Sequence, residues 1–403
     1  MEKVYSERVL NITTQPIHAN FLLWAGGELL TTEPSRPNIF QEFEFTKLDT
    51  AGSTATFTLF DDNWESLEAK LSLLYDKIQI QYGYPGITRR VSPIYNMILQ
   101  EYSISFVSTG VLLSIQAMSE GAYQNIQPIS TDPLGTTNPT EAIKEVCRKA
   151  GWKVEDSNFD ATQDIELPEG ESFSLQEDNP VSYITTVLVP AASKNGKNYI
   201  FYFDENNVPY FREIQYNNNS EAVATYVYQK GYDSGVLDLT FDIKGVFGGT
   251  SNFQTVTGFK AELIDPLTKE ITKIQENLNT TRDQVTGPYS HTNSSQSTVV
   301  YPTAGLSRDL AHSQLYYKLK NASDSIYEAT MTILGDPTLK ILDTIRIINV
   351  TDSGNLHHTS GLYMIKGITD TISGGSMTTS LKLIRNGSLD DGVELMNYRK
   401  LLK

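Results

Sequence analysis

Two matching stretches decide the fold of this chain: Ala55-Thr56-Phe57-Thr58-Leu59-Phe60-Asp61-Asp62 and, near the other end, Ala329-Thr330-Met331-Thr332-Ile333-Leu334-Gly335-Asp336. In both, apolar side chains alternate with polar ones, which is the period-two pattern of a half-buried β-strand. The match therefore predicts that one strand-rich unit occurs twice in the sequence.

Further matches follow in the same order along the chain. The matching pairs are Asp76-Lys77-Ile78-Gln79-Ile80 with Asp343-Thr344-Ile345-Arg346-Ile347, Ile94-Tyr95 with Leu362-Tyr363, Leu113-Ser114-Ile115 with Leu381-Lys382-Leu383, and more weakly Phe43-Glu44-Phe45-Thr46-Lys47 with Phe241-Asp242-Ile243-Lys244-Gly245. Short amphipathic strands also match by chance, since Thr and β-branched residues recur in any sheet. The constant order of the matches nevertheless predicts a duplicated β-barrel unit.

The spacing of the matches locates an insertion. The first strand shifts by 198 positions (43 to 241), the second by 274 (55 to 329) and the later ones by 267 to 268. The second copy therefore carries about 76 extra residues (274 minus 198), roughly residues 246–325. The first copy carries a short helix-like insert of its own at residues 64–71.

Three helices and one further hairpin are predicted outside the matching strands. Asn138-Pro139-Thr140-Glu141 has the pattern of an N-cap, a proline at N1 and a capping-box glutamate, and Gly151 suits the end of that helix. Asn179-Pro180 begins a second helix and Ser307 a third. Residues 198–203 and 208–214 form a hairpin around a polar turn. The fold class is therefore α+β, mainly β.

Composition narrows the range of functions. The chain has 32 Lys and Arg against 48 Asp and Glu, a net charge of −16. This charge argues against extensive binding to nucleic acid phosphates but is compatible with DNA passing by without adhering. The first residues lack an apolar signal-peptide core and no long apolar run occurs, which predicts synthesis in a cytoplasm. The single cysteine, Cys147, falls on the apolar stripe of the first helix, so we expect buried packing and not nucleophilic chemistry.

No constellation of catalytic or metal-binding residues emerges, and no catalytic, cofactor or metal residue is predicted. The histidines are scattered, and His357-His358 suits a loop tip better than a metal pair. The glycine-rich residues 245–250 lack the lysine and the following helix of a phosphate-binding loop. Asp61-Asp62 and Asp204-Glu205 are the candidates for paired glycosidase carboxylates, although acidic residues are ordinary at turns.

Beside the duplicated unit, three stretches carry a family resemblance. They are residues 139–152, ending in Gly151-Trp152, the helix start at residues 179–184, and the aromatic hairpin at residues 199–212. In this order the sequence resembles the baseplate hub proteins of contractile phage tails, which are related to the N-terminal hub part of VgrG spike proteins. The resemblance covers nearly the whole chain, and because the sequence ends at Lys403 we expect neither a fused β-helical spike nor a fused lysozyme domain.

The resemblance implies an organisation and a function. We expect a first tube-protein-like β-barrel at residues 1–120, a mixed α/β connector domain at 121–234, a second tube-like barrel at 235–386 with the insertion at about 246–325, and a C-terminal extension at 387–403.

The implied function is non-enzymatic: a homotrimeric hub whose six barrels adapt a three-fold spike to a six-fold tube. Its partners would be tail tube protein, central spike protein, tape-measure protein and baseplate wedge proteins, with DNA only in transit. The location would be the virion baseplate, after synthesis in a host bacterial cytoplasm and with no stable membrane insertion.

Several alternatives stay open at this point. The hub of a non-contractile long tail has a similar core, and a cell-wall-degrading or carbohydrate-binding tail-tip protein is a further alternative. Residues 279–303, rich in Asn, Thr and Ser, are expected to form a long exposed loop. The C-terminal residues 387–403 either dock on a neighbour or fray.

Overall fold

The structure is a computed structural model that describes residues 3–4, 18–31, 40–48, 52–61, 77–84, 90–121, 128–131, 134–167, 172–193, 197–214, 222–229, 235–243, 258–264, 271–277, 298–304, 309–314, 316–317, 327–351, 357 and 359–385. Strands dominate these residues, as the sequence predicts. None of the helices in the described ranges has the length and apolarity needed to cross a membrane.

Twenty-two strands are described. In chain order they are β1 Lys3–Val4, β2 Asn20–Ala25, β3 Glu28–Leu29, β4 Phe40–Leu48, β5 Gly52–Asp61, β6 Lys77–Tyr84, β7 Arg90–Val91, β8 Tyr95–Val107, β9 Gly110–Ser119, β10 Ile129–Thr131, β11 Leu175–Asp178, β12 Tyr199–Phe203, β13 Pro209–Glu213, β14 Ala224–Gln229, β15 Val236–Ile243, β16 Gly258–Ile264, β17 Ile271–Asn277, β18 Thr298–Ala304, β19 Tyr327–Leu334, β20 Thr344–Val350, β21 Gly361–Ser373 and β22 Ser376–Arg385.

One large sheet contains two sets of five strands. Set one runs β4-β5-β9-β8-β6 and set two runs β15-β19-β22-β21-β20, with antiparallel neighbours throughout. Each set has an apolar core made by alternate side chains; Phe43, Phe45 and Phe57 lie in the first, and Met331 and Tyr363 in the second. Burial of one face in every strand is what the alternating sequence predicts.

Strand pairing is the same in the two sets, residue for residue. The hairpins β8–β9 and β21–β22 have equal strand lengths, with a shift of 266 positions (95 to 361), and each has a β-bulge at the same place, Gln100 and Lys366. The pairs β4–β5 and β15–β19 also share a bulge, at Gln41 and Leu237. Because a bulge pins the register of its ladder, these matches fix which residues are equivalent.

The register corrects the sequence alignment by two residues in three strands. The shift is 196 for the first strand (45 to 241) and 266 for the hairpin (115 to 381), where the sequence match suggests 198 and 268. The shifts of 274 for β5 (55 to 329) and 267 for β6 (77 to 344) agree with the sequence match. A two-residue slip keeps the same side chains on the same face, so apolar patterning does not detect it.

The connector contains the first two predicted helices and the predicted hairpin. Helix α1 spans Pro139–Lys149, and the Asn138 side chain accepts hydrogen bonds from the N–H groups of Thr140 and Glu141. The capping-box prediction for Glu141 is wrong: its carboxylate accepts from Lys144, while the Asn138 N–H donates to Thr136. The second helical segment comprises α2 Pro180–Tyr183, a π-helical turn Ile184–Leu188 and α3 Val189–Ala192.

Two strands correct the expected course of the chain. The expectation of an irregular loop through residue 303 is wrong for its last part, because the β-prone residues Thr298–Ala304 form β18, parallel to β16. Within the range expected for the connector, β14 lies in the large sheet, parallel to β20, and is buried on both faces. A helical stretch at 309–314 packs Leu310 into the connector core.

Candidate functional site

The two sets are joined along one line of strand pairing, here called the inner seam. It consists of β4 paired antiparallel with Gly367–Ser373 of β21, from Gly367 opposite Leu48 to Ser373 opposite Glu42. Ile372 of β21 and Met377 of β22 are part of the hydrophobic core of set one. The inner seam is thus a packed joint between the sets, built from both backbone hydrogen bonds and apolar contacts.

A buried polar cluster lies at the inner seam. The Asp370 side chain has no exposed surface and accepts hydrogen bonds from the Tyr82 hydroxyl at 2.6 Å and from the Thr379 hydroxyl. The Lys47 ammonium lies 3.8 Å from the same carboxylate, donates to the Leu339 carbonyl at 3.3 Å and sits 5.5 Å from the Tyr95 ring centroid. Each charge therefore has several partners, which is the condition for keeping charges in an interior.

Burial and partners act in opposite directions on these two groups. Burial raises the pKa of Asp370, while Lys47 and the hydroxyls of Thr379 and Tyr82 oppose that rise. Burial alone lowers the pKa of Lys47, but Tyr95 and Asp370 outweigh it and the pKa of the ammonium is raised. The cluster therefore keeps Lys47 charged and ties β4, β6, β21 and β22 together. This arrangement suits a structural role in holding the two sets together.

A cleft of about 430 Å³ opens beside the inner seam, between both sets and the connector hairpin. Its walls include Lys47, Tyr95, Tyr202, Glu205 and Lys340. The Lys340 ammonium donates to the Glu205 carboxylate at 2.7 Å and links the loop after β19 to the turn between β12 and β13. This ion pair closes one side of the cleft and fixes the connector against the large sheet.

The acidic residues considered as glycosidase carboxylates have different surroundings. Asp61 is buried at the end of β5, and Asp62 lies outside the described residues. Asp204 accepts from the N–H groups of Asn206 and Val208 and so shapes the turn after β12. Glu205 is engaged by Lys340. These contacts are those of a turn and an ion pair.

The other residues considered from sequence also have structural surroundings. Cys147 is fully buried in the connector core, and burial raises the pKa of its thiol. The His357 ring Nδ1 lies 2.8 Å from the Thr359 hydroxyl. Within the described ranges, no three His, Cys, Asp or Glu side chains come close enough to hold a metal ion. His291, His358, the glycine-rich residues 245–250, the insert at 64–71 and residues 387–403 lie outside those ranges.

The Lys47–Asp370 cluster was missed by reasoning from sequence. Lys47 and Asp370 are 323 positions apart and each sits in an ordinary alternating strand. A signal did exist: both polar residues occupy positions where the alternation calls for an inward-facing apolar side chain. Such a residue needs a buried partner, but only the pairing of β4 with β21 identifies which one.

No protein-family model matches the sequence, and no curated protein matches it. Among solved structures, a tail protein from Neisseria meningitidis MC58 superimposes with a TM-score of 0.58 at 12% identity, covering 92% of this chain and 97% of that chain. A 43 kDa tail protein of prophage MuSo2 from Shewanella oneidensis gives a TM-score of 0.58 at 10% identity, with 91% and 98% covered. The chain has a phage tail-protein fold.

The same tail-protein fold occurs in a secretion system. An Escherichia coli component of the type VI secretion system, described as structurally similar to the T4 bacteriophage tail proteins gp27 and gp5, gives a TM-score of 0.50 at 9% identity, with 90% of this chain and 76% of that chain covered. The resemblance to tail hub proteins, predicted from the order of the sequence motifs, is confirmed at the level of the fold.

Proposed function

We propose that this chain is the structural hub of a tail baseplate, in a phage or a phage-like injection system. The observation that carries the proposal is the equality of sets one and two: the same strand order, the same register and bulges at the same two places. Independent origins would not reproduce both bulges. We infer a duplicated, tube-protein-like barrel unit, with set one inside residues 1–120 and set two inside residues 235–386.

A duplicated unit has a specific use in a symmetric assembly. Three chains with two similar units each would present six similar units around one axis. Such a homotrimer can meet a six-fold tube on one face, while the parts that are not duplicated keep three-fold symmetry for the central spike. The connector at 121–234, the insertion at about 246–325 and the extension at 387–403 are the non-duplicated parts. In this scheme the ring nucleates growth of the tail tube.

The partners follow from this position in the tail. We propose contacts with tail tube protein, central spike protein, tape-measure protein and baseplate wedge proteins, and a location in the virion baseplate. The net charge of −16 suits a lumen through which DNA passes without adhering. The same ring would serve a non-contractile long tail.

The role we propose is mechanical and not catalytic. Asp204 and Glu205 are held by turn and ion-pair contacts, which gives them a structural use. The direct check is an assay of cell-wall hydrolysis by the purified chain, beside its Asp61→Asn plus Asp62→Asn variant. Hydrolysis that disappears in the variant would contradict the structural proposal and identify the chain as an enzyme. Specific binding of a glycan would favour an adhesion module.

The assembly state tests the proposal as a whole. Native mass measurement of the purified chain should give three times 45.0 kDa, and negative-stain images should show a ring with six similar lobes. Adding purified tail tube protein should extend the ring into a tube. A stable monomer that forms no ring on addition of tube protein would contradict the hub assignment.

A further inference from the structure

Two strand edges of the large sheet correspond to the two sides of the inner seam. By the register of the two sets, residues 101–107 of β8 are equivalent to residues 367–373 of β21, and β15 is equivalent to β4. Among the described strands, residues 101–107 pair only with β9, and β15 pairs only with β19. Within the described part of the chain, these two edges, here called the outer edges, are not paired with a counterpart of the strand that their equivalents contact.

Exposure differs between equivalent positions on the first outer edge. In β21, alternate residues Ile368, Asp370 and Ile372 are buried against β4 and its neighbours. Their equivalents Tyr102 and Ile104 are half-buried, and Phe106 is 67% exposed. An exposed phenylalanine in an otherwise regular alternation indicates a surface made to be covered.

The second outer edge shows the same difference. Phe43 and Phe45 of β4 have no exposed surface, because β21 covers them. Their equivalents in β15, Leu239 and Phe241, are half-buried. A long sheet edge carrying exposed apolar side chains is a template for pairing with another strand.

We propose that residues 101–107 of one chain pair antiparallel with β15 of a second copy of this chain, repeating the inner seam. The proposal rests on the hub function and names the surface through which its copies meet. Transferring the inner-seam register places Phe106 opposite Leu239 of the partner subunit and Ile104 opposite Phe241 of the partner subunit. Tyr102 then lies opposite Ile243 of the partner subunit.

A second copy is the occupant that the molecule itself specifies. The two outer edges are equivalent to two strands that already pair within the chain, so their backbone directions and side-chain alternation are complementary. Each chain carries one edge of each kind, which makes the contact head-to-tail and lets it close into a ring. Opposite pairs such as Phe106 with Leu239 would bury apolar surface, and Ser105 with Thr240 is a favourable polar cross-strand pair.

Cysteine cross-linking tests both the contact and its register. In the variant Phe106→Cys plus Leu239→Cys, directly opposite positions would bring Cα atoms to about 4.5–5.5 Å, within the range that a disulfide spans. Mild oxidation of the purified chain should give covalent dimers and trimers on a non-reducing gel, reversed by reductant. Within one chain six strands separate β8 from β15, in the order β8-β9-β5-β4-β21-β22-β19-β15. Neighbouring strands are about 4.8 Å apart, so we expect no intrachain bridge.

A register control sharpens the test. Phe106→Cys plus Leu237→Cys moves the second thiol along the strand to position 237, where the leucine side chain is 54% exposed in the single chain. It should cross-link at least ~10-fold less, because Leu237 is the bulge residue of β15 and lies outside the ladder that the transferred register pairs with residues 101–107. The wild-type chain, whose only cysteine is the buried Cys147, should give no covalent oligomer.

The outcomes separate the two proposals. Cross-linking of 106 with 239 well above the control supports the outer-edge contact. A chain that forms trimers but does not cross-link at 106 and 239, or that cross-links equally at 237, overturns this contact and leaves the hub function standing. A chain that remains monomeric and gives no covalent product overturns both. Cross-linking only to added tube protein would also overturn the outer-edge contact.

Discussion

The inner seam and the outer edges are equivalent places in the two sets, yet their chemistry differs. At the inner seam, Lys47, Asp370 and Thr379 belong to a buried polar cluster, and each of them has an equivalent position at or near the outer edges. By the same register, the equivalents of these three residues are Ile243, Ile104 and Leu113. The Tyr82 hydroxyl also belongs to the cluster, and its equivalent is Asn349. A buried polar network demands specific partners, whereas an apolar surface is typical of obligate contacts between chains. The duplicated unit therefore meets its neighbour in a polar manner inside the chain and, by our proposal, in an apolar manner between chains.

The largest effect is expected from removing the carboxylate of the inner seam. Asp370→Ala leaves Lys47 buried without its carboxylate and removes the acceptor of two hydroxyls, so the free energy of unfolding should fall by ~3–5 kcal/mol. Urea denaturation measures this loss. Glu44→Ala, on the exposed face of β4, is the matched control and should change the free energy of unfolding by less than about 0.5 kcal/mol. Equal effects of the two changes would show that the cluster does not hold the seam.

A charge on the outer edge should act on assembly and not on folding. Phe106→Asp places a carboxylate at a position that is 67% exposed in the single chain but covered in the proposed contact. Association should weaken on the order of 100-fold, as for a central contact residue, and sedimentation measures it. Ile94→Asp, an equally polar change at a residue 45% exposed just before β8, should leave association unchanged. Normal trimers of the Phe106 variant would rule out the outer-edge contact.

Giving the inner seam apolar side chains throughout, three of them copied from the equivalent positions at the outer edges, sharpens the comparison. The combined variant Lys47→Ile, Asp370→Ile, Thr379→Leu and Tyr82→Phe removes the charges and their hydroxyl partners together. Its free energy of unfolding should lie within ~2 kcal/mol of the wild type, since whole buried ion pairs are often replaceable by apolar groups. If this variant is as unstable as Asp370→Ala, the polar cluster contributes packing that apolar side chains cannot supply.

The smallest effect concerns the ion pair that closes the cleft beside the inner seam. The Lys340 ammonium and a backbone N–H hold the pKa of Glu205 below its usual value, against the opposing effect of burial. A lowered carboxyl pKa contributes stability above about pH 4.5, and that contribution is lost as the pH falls through the lowered pKa. Glu205→Gln should therefore cost no more than ~1 kcal/mol at pH 7, and the cost should fall as the pH is lowered below about 4.5, measured by urea denaturation. A cost that stays constant as the pH is lowered would mean that Glu205 acts through packing.

The sequence by itself determined most of the elements and their order, although not β18. Alternating residues gave the strands and the mainly β class, and Asn138 and Asn179 marked the starts of the helical segments that the structure contains. The repeated motifs identified which strands correspond, and their order pointed to the tail-protein fold. These features depend on neighbours close in the chain, and local patterns record them.

Only the tertiary structure decided the register, the pairing of the two sets and the polar cluster. A slip of two residues keeps every side chain on its face, so the sequence match placed three strands two positions away from their true equivalents. The match of bulges resolved this slip. Lys47 and Asp370 meet only because β4 pairs with β21, far along the chain. Such a partnership depends on which strand edges meet in space, and alternation within a single strand carries no record of that.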